Sequence, residues 1–340
     1  MREGASEDRD GERKMKGKIT GFALYALFIA LGFPAEAQQM GKVYRVGYLS
    51  NGAENRQQEE GFQKGLRERG YIEGANMFIE WRFTKGKSEL LPELAVELVR
   101  LKVDCLVTSG ILATQAAKQA TTTIPIVMSN ASDDPVRHGL IASLARPGGN
   151  ITGVIDIASD LAGKRLDLLK ETFPKISRVG HLSDRGSPTG ATHLKETEAA
   201  AHVMGLRFQP LEVQSPGDFE NAFQAARKER ADALIIAQHG FINSYRERVV
   251  NLAGKARLPV MYGSADFVRV GGLMSYADAS LDRARRAATF VDKILKGAKP
   301  ADLPVEQPMK FEFIINLKTA KQIGVTIPQS VLYRADKVIK

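Results

Sequence analysis

Cysteine is nearly absent: Cys105 is the single one in 340 residues. That excludes an internal disulfide framework and a cysteine-based zinc site. Its place within Val103-Asp104-Cys105-Leu106-Val107 makes it a buried strand residue rather than a reactive thiol. The motifs of nucleotide and catalytic chemistry are missing too. No GxGxxG follows a strand-like run, and Gly86-Lys87-Ser88 lacks the upstream glycine of a phosphate loop. HExxH, CxxC and GxSxG do not occur, and His138, His181, His193, His202 and His239 have no metal-ligand spacing. No cofactor, no metal and no catalytic residue are therefore expected. A Ser-His-Asp set assembled only in three dimensions, as in a hydrolase, stays open as an alternative. The net charge of +9 has no basic block behind it. Lys and Arg are scattered among acids, as in Arg67-Glu68-Arg69 and Arg246-Glu247-Arg248, which describes a solvated surface and no nucleic-acid partner.

Long apolar runs are absent after residue 38. Before it, Lys16 and Lys18 precede an apolar stretch from Phe22 to Phe33, and Ala35-Glu36-Ala37 supplies a small-x-small cleavage pattern. A run of about a dozen residues is short for a hydrocarbon core of roughly 30 Å, so a cleaved export signal is favoured over a membrane anchor. Gln38 becomes the expected first mature residue, and the expected location is the periplasm. No cysteine stands at the cleavage point to carry a lipid. Residues 1–14 are charged and unlike a signal, so translation starts at Met1 or at Met15.

Beyond Gln38, strand-like and helix-like segments alternate. Val43 to Leu49, Met77 to Phe83, Val103 to Thr108, Ile124 to Met128 and Ile151 to Ile155 read as strands. Helices are expected between them, including 89–101, 111–120 and 136–145. The pattern repeats with strands at Val179 to Leu182, Leu206 to Val213, Ala233 to Ala237 and Pro259 to Tyr262. Apolar strands alternating with amphipathic helices specify parallel sheets covered on both faces, and two such runs specify two doubly wound α/β lobes. A last third, with a strand at Leu273 to Tyr276, helix 281–296, a strand at Phe311 to Ile315 and a strand-like Val331 to Arg334, is too small for a third core. It is expected to complete the other two.

Open α/β sheets bind ligands in loops at the carboxyl ends of their strands. Here those loops are small and polar. Candidate ligand-binding residues are Ser50, Asn51, Thr108, Ser109, Asn130, Asp134, Ser183, Asp184, Gln238, Ser264 and Asp266. Thr108-Ser109-Gly110 stands out because it precedes a helix whose free N–H groups suit a carboxylate; plain helix capping is the competing explanation.

The runs Arg45-Val46-Gly47-Tyr48-Leu49-Ser50, Asp134-Pro135-Val136, Leu144-Ala145-Arg146-Pro147-Gly148-Gly149-Asn150-Ile151-Thr152-Gly153, Gly271-Gly272-Leu273-Met274-Ser275-Tyr276 and Gly297-Ala298-Lys299-Pro300-Ala301-Asp302-Leu303-Pro304 are more specific. They resemble the ABC transporter substrate-binding protein family that includes tryptophan- and tyrosine-binding members. The resemblance implies a type I periplasmic-binding-protein fold: two Rossmann-like lobes joined by three crossover strands and closing on a ligand by a hinge. The crossings would fall near Val154-Ile155-Asp156, Met274-Ser275-Tyr276 and Pro304 to Lys310. Residues 1–37 would be extension and signal, 41–154 with 275–304 the first lobe, and 155–274 with 305–340 the second. It further implies a monomeric, non-enzymatic receptor handing a small molecule to membrane permease subunits. Thr108, Ser109 and Asn130 would hold an amino acid's carboxylate, and Asp266 or Asp184 its ammonium group. Tyr262, Phe267 and Phe241 are candidate stacking partners, or core. Gln238-His239-Gly240 departs from the acidic, proline-containing loop expected in many relatives. A sensor lobe of the sugar-repressor type and an exported hydrolase are the alternatives.

Overall fold

The structure is a computed structural model that describes residues 42–340 apart from Ser132, residues 157–160, Ala279, Pro308 and Met309. The export signal expected before residue 38 lies outside the described residues.

Five strands form the first sheet: β1 (Tyr44–Ser50), β2 (Met77–Phe83), β3 (Cys105–Ser109), β4 (Ile126–Asn130) and β5 (Ile151–Gly153), parallel throughout in the order β2-β1-β3-β4-β5. Helices α1 (Arg56–Arg67), α2 (Leu91–Arg100) and α3 (Ile111–Ala120) connect them. The apolar run through Cys105 is unbroken because both faces of β3 are covered. Leu106 packs with Leu98 and Ile126 on one face, and Cys105 and Val107 pack with Phe62 and Val46 on the other.

The second sheet holds β6 (Arg178–Asp184), β7 (Arg207–Val213), β8 (Ala233–Ile236), β9 (Val260–Tyr262), β10 (Met274–Asp278), β11 (Phe311–Asn316) and β12 (Lys337–Ile339). Its order is β12-β11-β10-β9-β8-β6-β7, with only β10 and β11 antiparallel. The stretch β7-β6-β8-β9-β10 repeats the order of the first sheet. Around it lie α4 (Ala162–Thr172), α5 (Pro188–Val203), α6 (Asp218–Lys228), α7 (Gly240–Ser244), α8 (Arg246–Ala256) and α9 (Ala265–Arg269). The next helix, α10 (Ser280–Leu295), returns to the first lobe, where Ala288, Phe290 and Val291 join Phe62 and Leu66. Helices α11 (Leu317–Ile323) and α12 (Gln329–Arg334) finish the second lobe, so the last third does complete the other two.

The crossings sit slightly beyond the expected points. β10 pairs with β9 at Met274 and Ser275 and with β11 from Met274 to Asp278, so Met274 to Asp278 belong to the second sheet and the second crossing follows Asp278, not Ser275. Val305 is core of the first lobe, and Val154 bridges to Glu306, with Ile155 N–H donating to the Glu306 carbonyl at 3.0 Å. The third crossing therefore lies between Glu306 and Phe311. Two expected elements differ in kind. Instead of a helix over 136–145 there is one turn: Leu140 N–H reaches back to the Pro135 carbonyl, and Gly139 at φ +63° ends the winding. Val331 to Arg334 is helical, started by Pro328, whose carbonyl accepts from Val331 and Leu332.

Candidate ligand-binding cleft

In each lobe the strand order reverses beside one central strand, between β1 and β3 in the first and between β6 and β8 in the second. Such switch points open a crevice at the carboxyl ends of the strands. Here the two crevices face one another across a cleft.

On the first lobe, Ser109 and Gly110 lead from β3 into α3. Gly110 takes φ +102°, and no side chain caps the helix. The helical ladder begins when Thr114 N–H donates to the Gly110 carbonyl, so the N–H groups of Ile111 and Leu112 precede it, at the cleft wall. The capping explanation for Ser109 therefore fails, and the start of α3 keeps its donors and the positive end of its dipole. Asn130 lines the same wall, and its buried Oδ1 has no partner. Ser50 and Asn51 also line the cleft but shape it: Ser50 Oγ accepts from Gly52 N–H at 3.1 Å, and Asn51 Oδ1 accepts from Thr84 Oγ1 at 3.1 Å.

On the second lobe, Gln238 and Asp266 line the cleft, joined by Ser187, His239, Asn243 and Arg246. Nδ1 of His239 lies 3.1 Å from Asp184 Oδ2 and 3.3 Å from the N–H of Phe241, and it can serve one at a time. Burial pushes this imidazole below its ordinary range, with Asp184 opposing the shift.

Five expected site residues do not line the cleft. Thr108 is buried, its Oγ1 2.8 Å from Thr114 Oγ1. Ser183 is buried within β6. Asp184 turns into its own loop, accepting from Gly186 N–H at 2.9 Å and meeting His239. Asp134 is exposed and accepts from Val136 N–H, and Ser264 caps α9 by accepting from Asp266 N–H. Asp266 does line the cleft, yet both its oxygens are engaged, Oδ1 by Arg269 and Oδ2 by Asn55 Nδ2 at 2.6 Å. The aromatic candidates are core. Tyr262 stacks on Phe267 at 4.7 Å, and Phe241 packs with Phe219 and Tyr245. Asn55, Ser187, Asn243 and Arg246 line the cleft without having been expected there. The signal for Ser187 was Ser-Pro, an N-cap followed by proline at the first helical position.

The profile of the ABC transporter substrate binding protein family matches residues 49–339. The chain belongs to that family. As a substrate-binding protein it is 26% identical to a "Tyrosine-binding protein" of Clostridioides difficile, over 78% of this chain and 76% of the relative. A conserved domain protein from Vibrio cholerae superposes with a TM-score of 0.82 at 27% identity, covering 87% of this chain and 100% of that one. An ABC domain from Streptococcus pneumonia in complex with L-Trp superposes with a TM-score of 0.78 at 29% identity, covering 86% and 100%.

The substrate-binding protein has its lobes in contact across the cleft. Besides the Asn55–Asp266 bond, Ala53 N–H donates to Ser244 Oγ at 2.9 Å and Thr192 Oγ1 donates to Asp133 Oδ2 at 3.0 Å. Asp133 is buried and also meets His138 Nε2 at 2.8 Å. Behind the cleft, Arg283 at the start of α10 is held between Asp278, where the second crossing leaves β10, and Asp156 in the first crossing, 3.6 Å away. These contacts join the two lobes both across the cleft and behind it.

Proposed function

We propose that this chain is the exported, non-enzymatic receptor of an ABC uptake system, which closes on a small carboxylate-bearing solute in the periplasm and delivers it to membrane permease subunits. The observation that carries the carboxylate is the uncapped start of α3 at the cleft wall, with the Ser109 hydroxyl before it. The relatives named for tyrosine and L-Trp point to amino acids as the nearest class of such solutes. The cleft itself is lined by no Phe, Tyr or Trp among the described residues, so an aromatic preference in this receptor would have to come without ring stacking.

Denaturing the purified protein and identifying the released molecule by mass spectrometry tests the reading. A chemically unchanged carboxylate is expected, and Ser109→Ala should weaken its binding by about 1 kcal/mol. Release of an uncharged sugar or nucleoside would overturn the carboxylate reading and leave the family intact. Protein from the periplasmic fraction should begin at Gln38; soluble exported protein that retains Met15 would overturn cleavage after Ala37.

A further inference from the structure

We propose a second anion subsite on the second lobe, built from the start of α5 and Arg246, which makes the ligand a small dianion and in the simplest case a dicarboxylate. This second subsite presupposes that the α3 start is the first carboxylate site.

Ser187 is the N-cap of the sixteen-residue α5, yet its side chain caps nothing. It is 3% exposed, lines the cleft, and its Oγ has no hydrogen-bond partner. An N-cap serine normally spends that oxygen on the first turn of its own helix, so a buried and idle hydroxyl here is a group left for another molecule. The ladder of α5 starts with Ala191 N–H donating to the Ser187 carbonyl, which leaves the N–H groups of Thr189 and Gly190 before it, and Thr189 also lines the cleft. Arg246 adds a full positive charge. Its Nη1 donates to the Asn243 carbonyl at 3.2 Å, and no carboxylate pairs with it among the described residues. Other arginines of the second lobe are paired, Arg248 with Glu220, Arg178 with Glu229 and Arg269 with Asp266, which leaves Arg246 as the cleft-lining one without a carboxylate.

The acids of the region do not offset this charge. Asp266 is paired with Arg269 and hydrogen-bonded by Asn55, and Asp184 stands outside the cleft lining, hydrogen-bonded within its own loop. The cleft therefore presents a helix start on each lobe and one unpaired guanidinium, with no free carboxylate opposite. A zwitterion with a neutral side chain satisfies one end only. A molecule with an anion at each end satisfies both, and it can gain affinity from closure because each lobe holds one end. The idle Oδ1 atoms of Asn130 and Asn243 accept a donor between the ends, a hydroxyl or an ammonium group.

Calorimetry decides the matter with the full mature protein, stripped of bound solute by denaturation and refolding. The panel is succinate, glutarate, malate, aspartate and glutamate, a phosphorylated three-carbon acid, and neutral amino acids and monocarboxylates of matching length. At least one dianion should bind ten-fold or more tighter than its singly charged counterpart. Arg246→Gln should remove most of that preference, and Ser187→Ala should weaken the same ligand several-fold. Both substitutions change one cleft side chain, and unchanged thermal melting of the unliganded protein confirms the fold. The hydroxy and amino arms identify the central group, and the phosphorylated acid identifies the second anion. A neutral amino acid binding as tightly as the dianions, or a preference untouched by Arg246→Gln, would overturn the second subsite while leaving the carboxylate receptor standing. Binding of an uncharged solute alone would overturn both.

Discussion

Asn55 Nδ2 on the first lobe donates to Asp266 Oδ2 on the second across 2.6 Å, at the mouth of the cleft. The bond exists only when the lobes are together, so it adds to the closed population and nothing to either lobe alone. A hydrogen bond to a charged acceptor contributes roughly 1.5–3 kcal/mol. Part of this is offset in the open state, where Asp266 keeps Arg269 and gains water. Asn55→Ala should weaken ligand binding about five- to ten-fold by calorimetry. The melting temperature of the unliganded protein should stay within a degree or two. Equal losses in both measurements would assign Asn55 to folding instead of closure.

Gly240 makes closure a matter of space. A Cβ built there would stand 3.3 Å from the Asn51 carbonyl carbon and oxygen, backbone atoms of the opposite lobe that cannot swing aside. Gly240→Ala should therefore hold the lobes slightly apart. The expected result is a radius of gyration by solution scattering that shrinks less on ligand addition than in the parent protein, together with weaker binding. Full compaction at saturating ligand would contradict it.

The lobes were legible in the sequence because strands covered on both faces become unbroken apolar runs, as at Cys105 to Val107, and because α10 shows a regular apolar face. Local pattern misled at two short segments: Val331 follows Pro328 into a helix, and Gly139 cuts the winding after Pro135. In the cleft, topology located the loops but not the side chains. Thr108 and Ser109 are neighbours in one strand and so face opposite ways, which left one in the core and the other at the wall. Whether an aspartate is free depends on partners distant in sequence. Asp266 is engaged by Asn55, 211 positions away, and no local pattern reports that. Arg246, set among alternating charges, read as solvated surface, and only the fold puts it on the cleft wall.

His181 gives the protein a defined acid sensitivity. It is fully buried within β6, neither ring nitrogen has a hydrogen-bond partner, and burial pushes its imidazole down to about 3, with His193 and Arg165 adding to the shift. The unfolded chain takes up a proton near pH 6.5 that the folded protein refuses. Stability is therefore fully present above about pH 6.5 and declines as pH falls toward 3. From pH 7 to pH 5 this one group should cost about 2 kcal/mol. Urea unfolding of His181→Leu across the same interval should show that much less pH dependence. A variant with the parental slope would show that other groups carry it.

Gly153 stands where the chain leaves the first sheet for the second lobe, and the backbone there permits no side chain. Its φ is +130°, and a Cβ would lie 2.2 Å from the carbonyl oxygen and 2.5 Å from the nitrogen of Met128, its partner across the β4–β5 ladder. The same residue accepts from Glu306 N–H at 2.9 Å, so it joins the first crossing to the third, and moving it would disturb both. Gly149, four positions earlier in the same turn-and-strand motif, has no heavy atom within 4 Å of an added Cβ and no positive φ. The pair separates the cost of a forbidden conformation and clash from the ordinary gain of replacing glycine. Gly153→Ala should lose about 4 kcal/mol or more of unfolding free energy. Gly149→Ala should fall between neutral and about 1 kcal/mol more stable. Chemical denaturation of the two variants side by side checks both values. Similar stabilities would mean that the β4–β5 edge can open without cost, and the hinge would then not be anchored at Gly153.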